Sequence, residues 1–259
     1  MITFKKLAIN TALKAGRLLR QSYRRFNHGE VQKKGKHNIV TQADLAANRL
    51  IIREIKKYFP QHDFLSEETG LENNIDKFRW IIDPLDGTTN FSIHNPLYCT
   101  ALALMYKKDI LLSVLYAPEL NELYFAEKKH GALLNGKKIK VSRTRKLSDS
   151  IIAIGRSHSR LSHKQMISVQ NKFDEHVLNT RILGSASLNL AYVAAGRMDG
   201  CVFVPPEISL WDSLAGILLV QEAGGLITDF QGRPWIKASH GLVISNGQIH
   251  RNLLKAMKR

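Results

Sequence analysis

The residues best suited to chemistry stand in one string, Trp80-Ile81-Ile82-Asp83-Pro84-Leu85-Asp86-Gly87-Thr88-Thr89-Asn90-Phe91. An apolar, β-forming run delivers Asp83 to its end. Pro84 fixes its own backbone and bars a helix, so the chain is expected to turn at once and bring Asp86 back beside Asp83. Gly87 permits a tight path there. Thr88 and Thr89 stand where a helical turn can open, with backbone N–H groups to offer. Two hard carboxylate ligands beside a row of N–H donors suit a divalent cation that carries a phosphate. The plainer alternative is a strand-to-helix turn capped by Asp and Thr.

Three further places supply carboxylates. Ser66-Glu67-Glu68-Thr69 lies in a polar segment upstream, where a Glu pair taken alone reads as solvated surface. Asp44 follows Thr41 by three positions, so it is either half of a helix capping box or an acid of the site. Asp212 follows Trp211 just before a predicted helix, so it is either an N-cap or a ligand. Glu67, Asp83, Asp86 and Asp212 in one pocket would repel one another unless cations neutralised them.

The elements that must position these residues mix along the whole chain. Periodicity predicts helices over 3–25, 41–59, 161–173, 188–196, 214–223 and 249–257. Strands are expected over 78–83, 99–106, 110–116, 122–126, 151–155, 199–203, 226–229 and 242–245. Asn135-Gly136 is a strong hairpin turn. Gly131 to Lys137 fits the G-x4-G-K spacing of a phosphate loop, but Lys138 stands where Ser or Thr is needed. Such alternation argues an α+β (mixed α/β) fold with helix-covered sheets.

The chain has 259 residues, enough for one large domain or two joined halves. No apolar run approaches the roughly 20 residues that span a bilayer. Residues 3–25 interleave Leu7, Ile9 and Leu13 with Lys14 and Arg17, an amphipathic pattern and not a leader peptide. Cys99 and Cys201 lie in apolar stretches and read as two buried thiols, which points to a reducing, cytoplasmic location. The net charge of +16 comes from basic residues that look scattered along the chain. No aromatic RNA-binding signature interleaves them, so a solvated surface is favoured over a nucleic-acid site.

Taken in order, these residues resemble the inositol monophosphatase family of magnesium-dependent, lithium-sensitive phosphatases. Trp80 to Phe91 matches its first signature. Trp211-Asp212 with Ala215-Gly216 and Glu222-Ala223-Gly224-Gly225 matches its second. Val40 to Asp44, Ser66-Glu67-Glu68, Gly184-Ser185-Ala186 and Ala194 to Gly200 fall in family order. The resemblance implies a layered αβαβα sandwich, usually a homodimer, holding two to three Mg²⁺ ions. Residues 1–145 would carry most metal ligands, and residues 146–259 Asp212 and the substrate-side loop, as one compact unit. It implies that Glu67, Asp83 and the Leu85 carbonyl bind one metal, and Asp83, Asp86 and Asp212 a second. Glu67, with Asp44 through waters, would hold a third. Thr88 with Glu67 would position the attacking water. The N–H groups of Gly87 and Thr88 would cradle the phosphate. Asp86, Gly184, Ser185, Ala186 and Asp212 would line the leaving-group side.

The resemblance makes a small phosphorylated metabolite the expected partner, with inositol-1-phosphate or a similar polyol phosphate first. One departure bears on that choice. Where relatives acting on inositol phosphate carry a glutamate six residues before the motif tryptophan, this chain has Pro205, and Glu207 stands two residues on. Alternative substrates are fructose 1,6-bisphosphate, histidinol phosphate, nucleotide 3′-phosphates and NADP. The rival of another class is an RNA- or transcription-complex-binding protein with secondary phosphatase activity.

Overall fold

The computed structural model describes residues 2–27, 32–33, 39–72, 77–156, 160–205, 208–235 and 241–258. The elements run α1 (Phe4–Arg25), β1 (Gln32–Lys33), β2 (Ile39–Val40), α2 (Gln42–Lys56), β3 (Asp63–Ser66), β4 (Gly70–Glu72), β5 (Phe78–Asp86) and α3 (Thr88–Ser92). Five strands follow, β6 (Cys99–Tyr106), β7 (Asp109–Ala117), β8 (Glu122–Glu127), β9 (Gly131–Leu134) and β10 (Lys137–Ile139). The rest is β11 (Ile151–Arg156), α4 (Arg160–Asp174), β12 (Asn179–Arg181), α5 (Ala186–Ala194), β13 (Gly200–Val204), α6 (Leu210–Glu222), β14 (Leu226–Thr228), β15 (Leu242–Ser245) and α7 (His250–Lys258).

Two mixed sheets organise the core. The first has eight strands in the order β10-β9-β8-β7-β6-β5-β3-β4, and the second five in the order β12-β11-β13-β15-β14. Helices α1 and α2 cover one face of the first sheet, α5 and α6 lie between the sheets, and α4 and α7 cover the far face of the second. The result is the expected αβαβα sandwich. Strand alternation assigns side chains to layers. Trp80 and Ile82 of β5 pack toward α1 and α2, while Ile81 packs into the middle layer. Asp83 is in phase with Ile81 and therefore faces α6. There the sheet is lined by the small side chains of Ala101 and Ala103. On α6, a Cβ at Gly216 would lie 2.4 Å from Leu190 Cβ, so glycine sets how closely α5 and α6 pack.

Several expectations are corrected. Pro84 does not end β5. The strand continues to Asp86 through a bulge, since Asp83 pairs with Ala101 and Asp86 with Cys99, leaving Pro84 and Leu85 opposite Thr100 alone. A bulge tolerates proline because the extra residue needs no ladder hydrogen bond, and it re-aims the flanking side chains. Helix α6 begins at Leu210 with Ser209 as its N-cap, so Asp212 is a first-turn residue and not a cap. Helix α5 begins at Ala186, earlier than 188. The short strands β3 and β4 were not anticipated. Asn135 (φ 48°) and Gly136 (φ 79°) make the hairpin turn between β9 and β10, which removes the phosphate-loop reading. Cys99 and Cys201 are both buried free thiols.

Candidate active site

The bulge carries Asp83 and Asp86 to the end of the first sheet, and the first turn of α6 presents Asp212 to them. Ligand oxygens of Asp83, Asp86 and Asp212 lie within 4.8 Å of one another. None of the three has a Lys or Arg ion-pair partner among the described residues. Asp83 Oδ1 accepts from Leu85 N at 3.1 Å, whereas Oδ2 is buried without a hydrogen-bond partner. Burial, followed by the charges of Glu67, Asp86 and Asp212, holds the Asp83 carboxyl well above the usual carboxylate range. Asp212 is raised likewise, by burial and then by Asp86 and Glu67.

Asp86 is raised by burial, but less freely, because the start of α5 is built around it. Ser185 Oγ donates to its Oδ2 at 2.8 Å and Ala186 N to its Oδ1 at 3.2 Å. Ser187 N makes a further short bond to Oδ2. The positive end of the α5 dipole adds to the same effect. Ser185 is at once the N-cap of α5, accepting from Leu188 N at 3.3 Å. In this structure Ser185 and Ala186 therefore hold Asp86.

Asp44 forms the capping box and also reaches Thr88. Its Oδ2 accepts from Thr41 N at 2.8 Å and Thr41 Oγ1 at 2.6 Å, the capping box of α2. Its Oδ1 lies 3.1 Å from Thr88 Oγ1, which also lies 3.1 Å from the Leu85 carbonyl. Burial, opposed by the Thr41 and Thr88 bonds and aided by Glu68, pushes the Asp44 carboxyl up to about 6. Glu67 stands just past β3, where its N–H donates to the Ile82 carbonyl at 3.2 Å. It lies outside the aspartate trio, but its charge reaches Asp83 and Asp212. Ser66 anchors the end of β3 by donating to Asn48 Oδ1 of α2 at 2.7 Å.

Gly87 caps α3 in the left-handed region at φ +92°, where a Cβ would lie 2.8 Å from the Leu97 carbonyl, so the turn admits only glycine without strain. Asn90 of the motif clamps the loops: its Nδ2 donates at 2.7 Å to the carbonyls of both Leu97 and Leu183. Gly184 is thereby pressed against the Asn90 amide. Ser187, whose N–H also bonds Asp86, was visible in the sequence only as the second serine after Gly184. Cys99 faces Asp86 across the ladder, and burial with the charges of Asp86 and Asp83 holds its thiol well above the usual range. Pro205 is half-buried at the end of β13, and Glu207 lies outside the described residues.

An oxygen-only donor set, an orphaned buried carboxylate oxygen and the absence of a cationic side chain among the described ion pairs fit a hard divalent cation. The arrangement can also hold a hydroxyl, Thr88, at a fixed place beside it.

Comparison with known proteins agrees. The profile of the inositol monophosphatase family matches residues 2–259. An inositol-1-monophosphatase of Mesorhizobium japonicum is 40% identical over 97% of this chain and 94% of its own. The Nus factor SuhB of Escherichia coli is 37% identical over the same shares, 97% and 94%. The crystal structure of the extragenic suppressor protein suhB from Bartonella henselae superposes with a TM-score of 0.92 at 36% identity, covering 98% of both chains.

Proposed function

Because the chain belongs to the inositol monophosphatase family, we propose that it hydrolyses a small phosphorylated polyol or sugar, inositol-1-phosphate or a near relative, with Mg²⁺ as cofactor. It is a phosphoric monoester hydrolase. The observation that carries the cofactor is the trio Asp83, Asp86 and Asp212, two buried and the third half-buried, with no Lys or Arg ion-pair partner among the described residues. Asp83, Asp86 and Asp212 would hold one ion, and Glu67, Asp83 and the Leu85 carbonyl another. Glu67 and Asp44 would support a third through waters. When bound, the ions would neutralise the phosphate dianion and stabilise the leaving oxygen.

The chain's own residues do the positioning. Asp44 and the Leu85 carbonyl restrict the Thr88 hydroxyl to one small arc. Thr88 with Glu67 orients the attacking water. The N–H groups of Gly87 and Thr88 receive phosphate oxygens. The donors of α5 fix Asp86, so Gly184, Ser185 and Ala186 shape the leaving-group side through it. On this reading, residues 1–145 and 146–259 are halves of one working unit, since Asp212 meets Asp83 and Asp86 across them.

The reduced, buried Cys99 and Cys201 support a cytoplasmic location. Among the described residues no helix is long and apolar enough to cross a membrane. A homodimer and lithium sensitivity are carried over from the family resemblance. Pro205 offers no side-chain acceptor, which leaves the polyol of the substrate open to choice among related leaving groups.

The test is phosphate release from a panel of phosphorylated metabolites, with and without Mg²⁺ and Li⁺. The expected result is Mg²⁺-dependent release from inositol-1-phosphate or another small polyol or sugar phosphate, inhibited by Li⁺. Equal release in chelator, or none from any monoester, would sink the assignment.

A further inference from the structure

Residues 128–148 contain eight Lys or Arg and no Asp or Glu. Four of them, all within residues 138–145, line one cavity. A cavity of about 840 Å³ opens where the β9–β10 hairpin, the strap 140–146 and the C-terminal end of α6 meet, lined in part by Lys138, Lys140, Arg143 and Arg145. All four are exposed, and none has a carboxylate partner among the described residues. Elsewhere Lys14 and Lys57 pair with Glu54, and Arg197 with Glu122.

The one acidic side chain in the lining is already engaged. Glu222 Oε1 accepts from Lys129 N at 2.7 Å, and its Oε2 from Gly131 N at 2.8 Å. Four cations against one carboxylate leave the wall strongly positive. The strap is also pinned. Val141 N donates to the Ala223 carbonyl at 3.2 Å. Asn246 Nδ2 donates to Ser142 Oγ at 2.8 Å and to the Thr144 carbonyl at 2.9 Å. The Ser142 side chain and the Thr144 carbonyl are thus tied down, while Arg143 between them and Arg145 after them are exposed. Cations on a fixed backbone lose less freedom on binding than cations on a loose loop. A volume of this size matches small-molecule pockets, and converging charges in a concavity favour a compact anion over a long strand.

We propose that this cavity is a second ligand site, for a compact, multiply phosphorylated anion. It is separate from the carboxylate centre: Asp212 and Glu222 lie ten residues apart on α6, about 15 Å at the helical rise. The site needs no metal from that centre.

Isothermal titration of the full chain in Mg²⁺ with inorganic tripolyphosphate tests it, comparing wild type with Arg143→Ala/Arg145→Ala. Any binding at the carboxylate centre is common to both proteins, so the difference reads the cavity. The double variant should bind at least ~10-fold more weakly, the loss of about one charge-assisted contact or more. Arg143→Lys/Arg145→Lys should recover most of that affinity. Melting temperature and phosphate-release rates without tripolyphosphate should match across all three. Equal affinity in wild type and the alanine variant would overturn the proposal, as would binding of long single-stranded RNA alone.

Discussion

Two polar clusters in this molecule are built in opposite ways. At the end of the first sheet, Asp83, Asp86 and Asp212 converge without a cation, and Asp83 Oδ2 has no donor. At the seam of the second sheet, Asp199 spends both oxygens: Oδ1 accepts from Ser142 Oγ at 2.6 Å and Oδ2 from Ile151 N at 2.8 Å. Asn246 completes that seam by donating to Ser142 and accepting from Gln248 N and Ile249 N. A satisfied network stabilises the fold by itself. A cluster of like charges with an empty acceptor is costly until something binds it. On the proposed function, the difference separates the residues that maintain the sandwich from those that would act.

The same substitution in both clusters should therefore have opposite effects on stability. Asp83→Asn removes one of the repelling charges while its Oδ1 can still accept from Leu85 N. Chelated Asp83→Asn protein should melt higher than chelated wild type. Its turnover with Mg²⁺ should fall at least ~10²-fold, about 2.7 kcal/mol of lost transition-state stabilisation. Near-wild-type turnover, or a lower melting temperature in chelator, would break the contrast.

Asp199→Asn should instead destabilise with little change in turnover. An amide keeps one acceptor for Ile151 N, but its NH₂ then faces Ser142 Oγ, which already accepts from Asn246. The serine hydrogen loses its partner. A stability loss of about 1–2 kcal/mol follows, read from urea unfolding. A variant as stable as wild type would show that the seam is not the structural cluster described.

How much of this was legible before the structure depends on distance along the chain. Asp83, Asp86, Gly87 and Thr88 fall within one string, so their shared chemistry could be read from types and spacing. The double role of Asp44 could not, because Thr88 lies 44 positions away. The bulge was hidden by Pro84, which local rules treat as a stop although pairing beyond it resumes at Cys99. Strands β3 and β4 are short and partly polar, and only pairing forms them, β3 against β5 and β4 against β3. The basic run of 138–145 could be read in the sequence, but not that it walls a cavity, since the wall joins a hairpin, a strap and a helix end.

The mildest effect sharpens the contrast at a titratable member of the second-sheet network. His250 is buried, with Nδ1 2.8 Å from Ser245 Oγ and Nε2 2.9 Å from Thr228 Oγ1. Thr228 Oγ1 donates to the Asp229 carbonyl at 2.8 Å, so it accepts from Nε2–H, and Ser245 Oγ must donate to Nδ1. The ring is therefore held neutral, and protonating Nδ1 would set two donors against each other. Burial lowers its pKa from 6.5 to about 4. The folded protein then binds fewer protons than the unfolded chain between those values. The stability His250 contributes is present above pH ~6.5 and is lost as pH falls toward ~4. Between pH 7 and pH 5.5 the loss should be about 1 kcal/mol, visible in urea unfolding curves. In His250→Gln, which cannot titrate, the difference between the two pH values should shrink by that amount. An unchanged pH dependence would show that the ring does not report on this network.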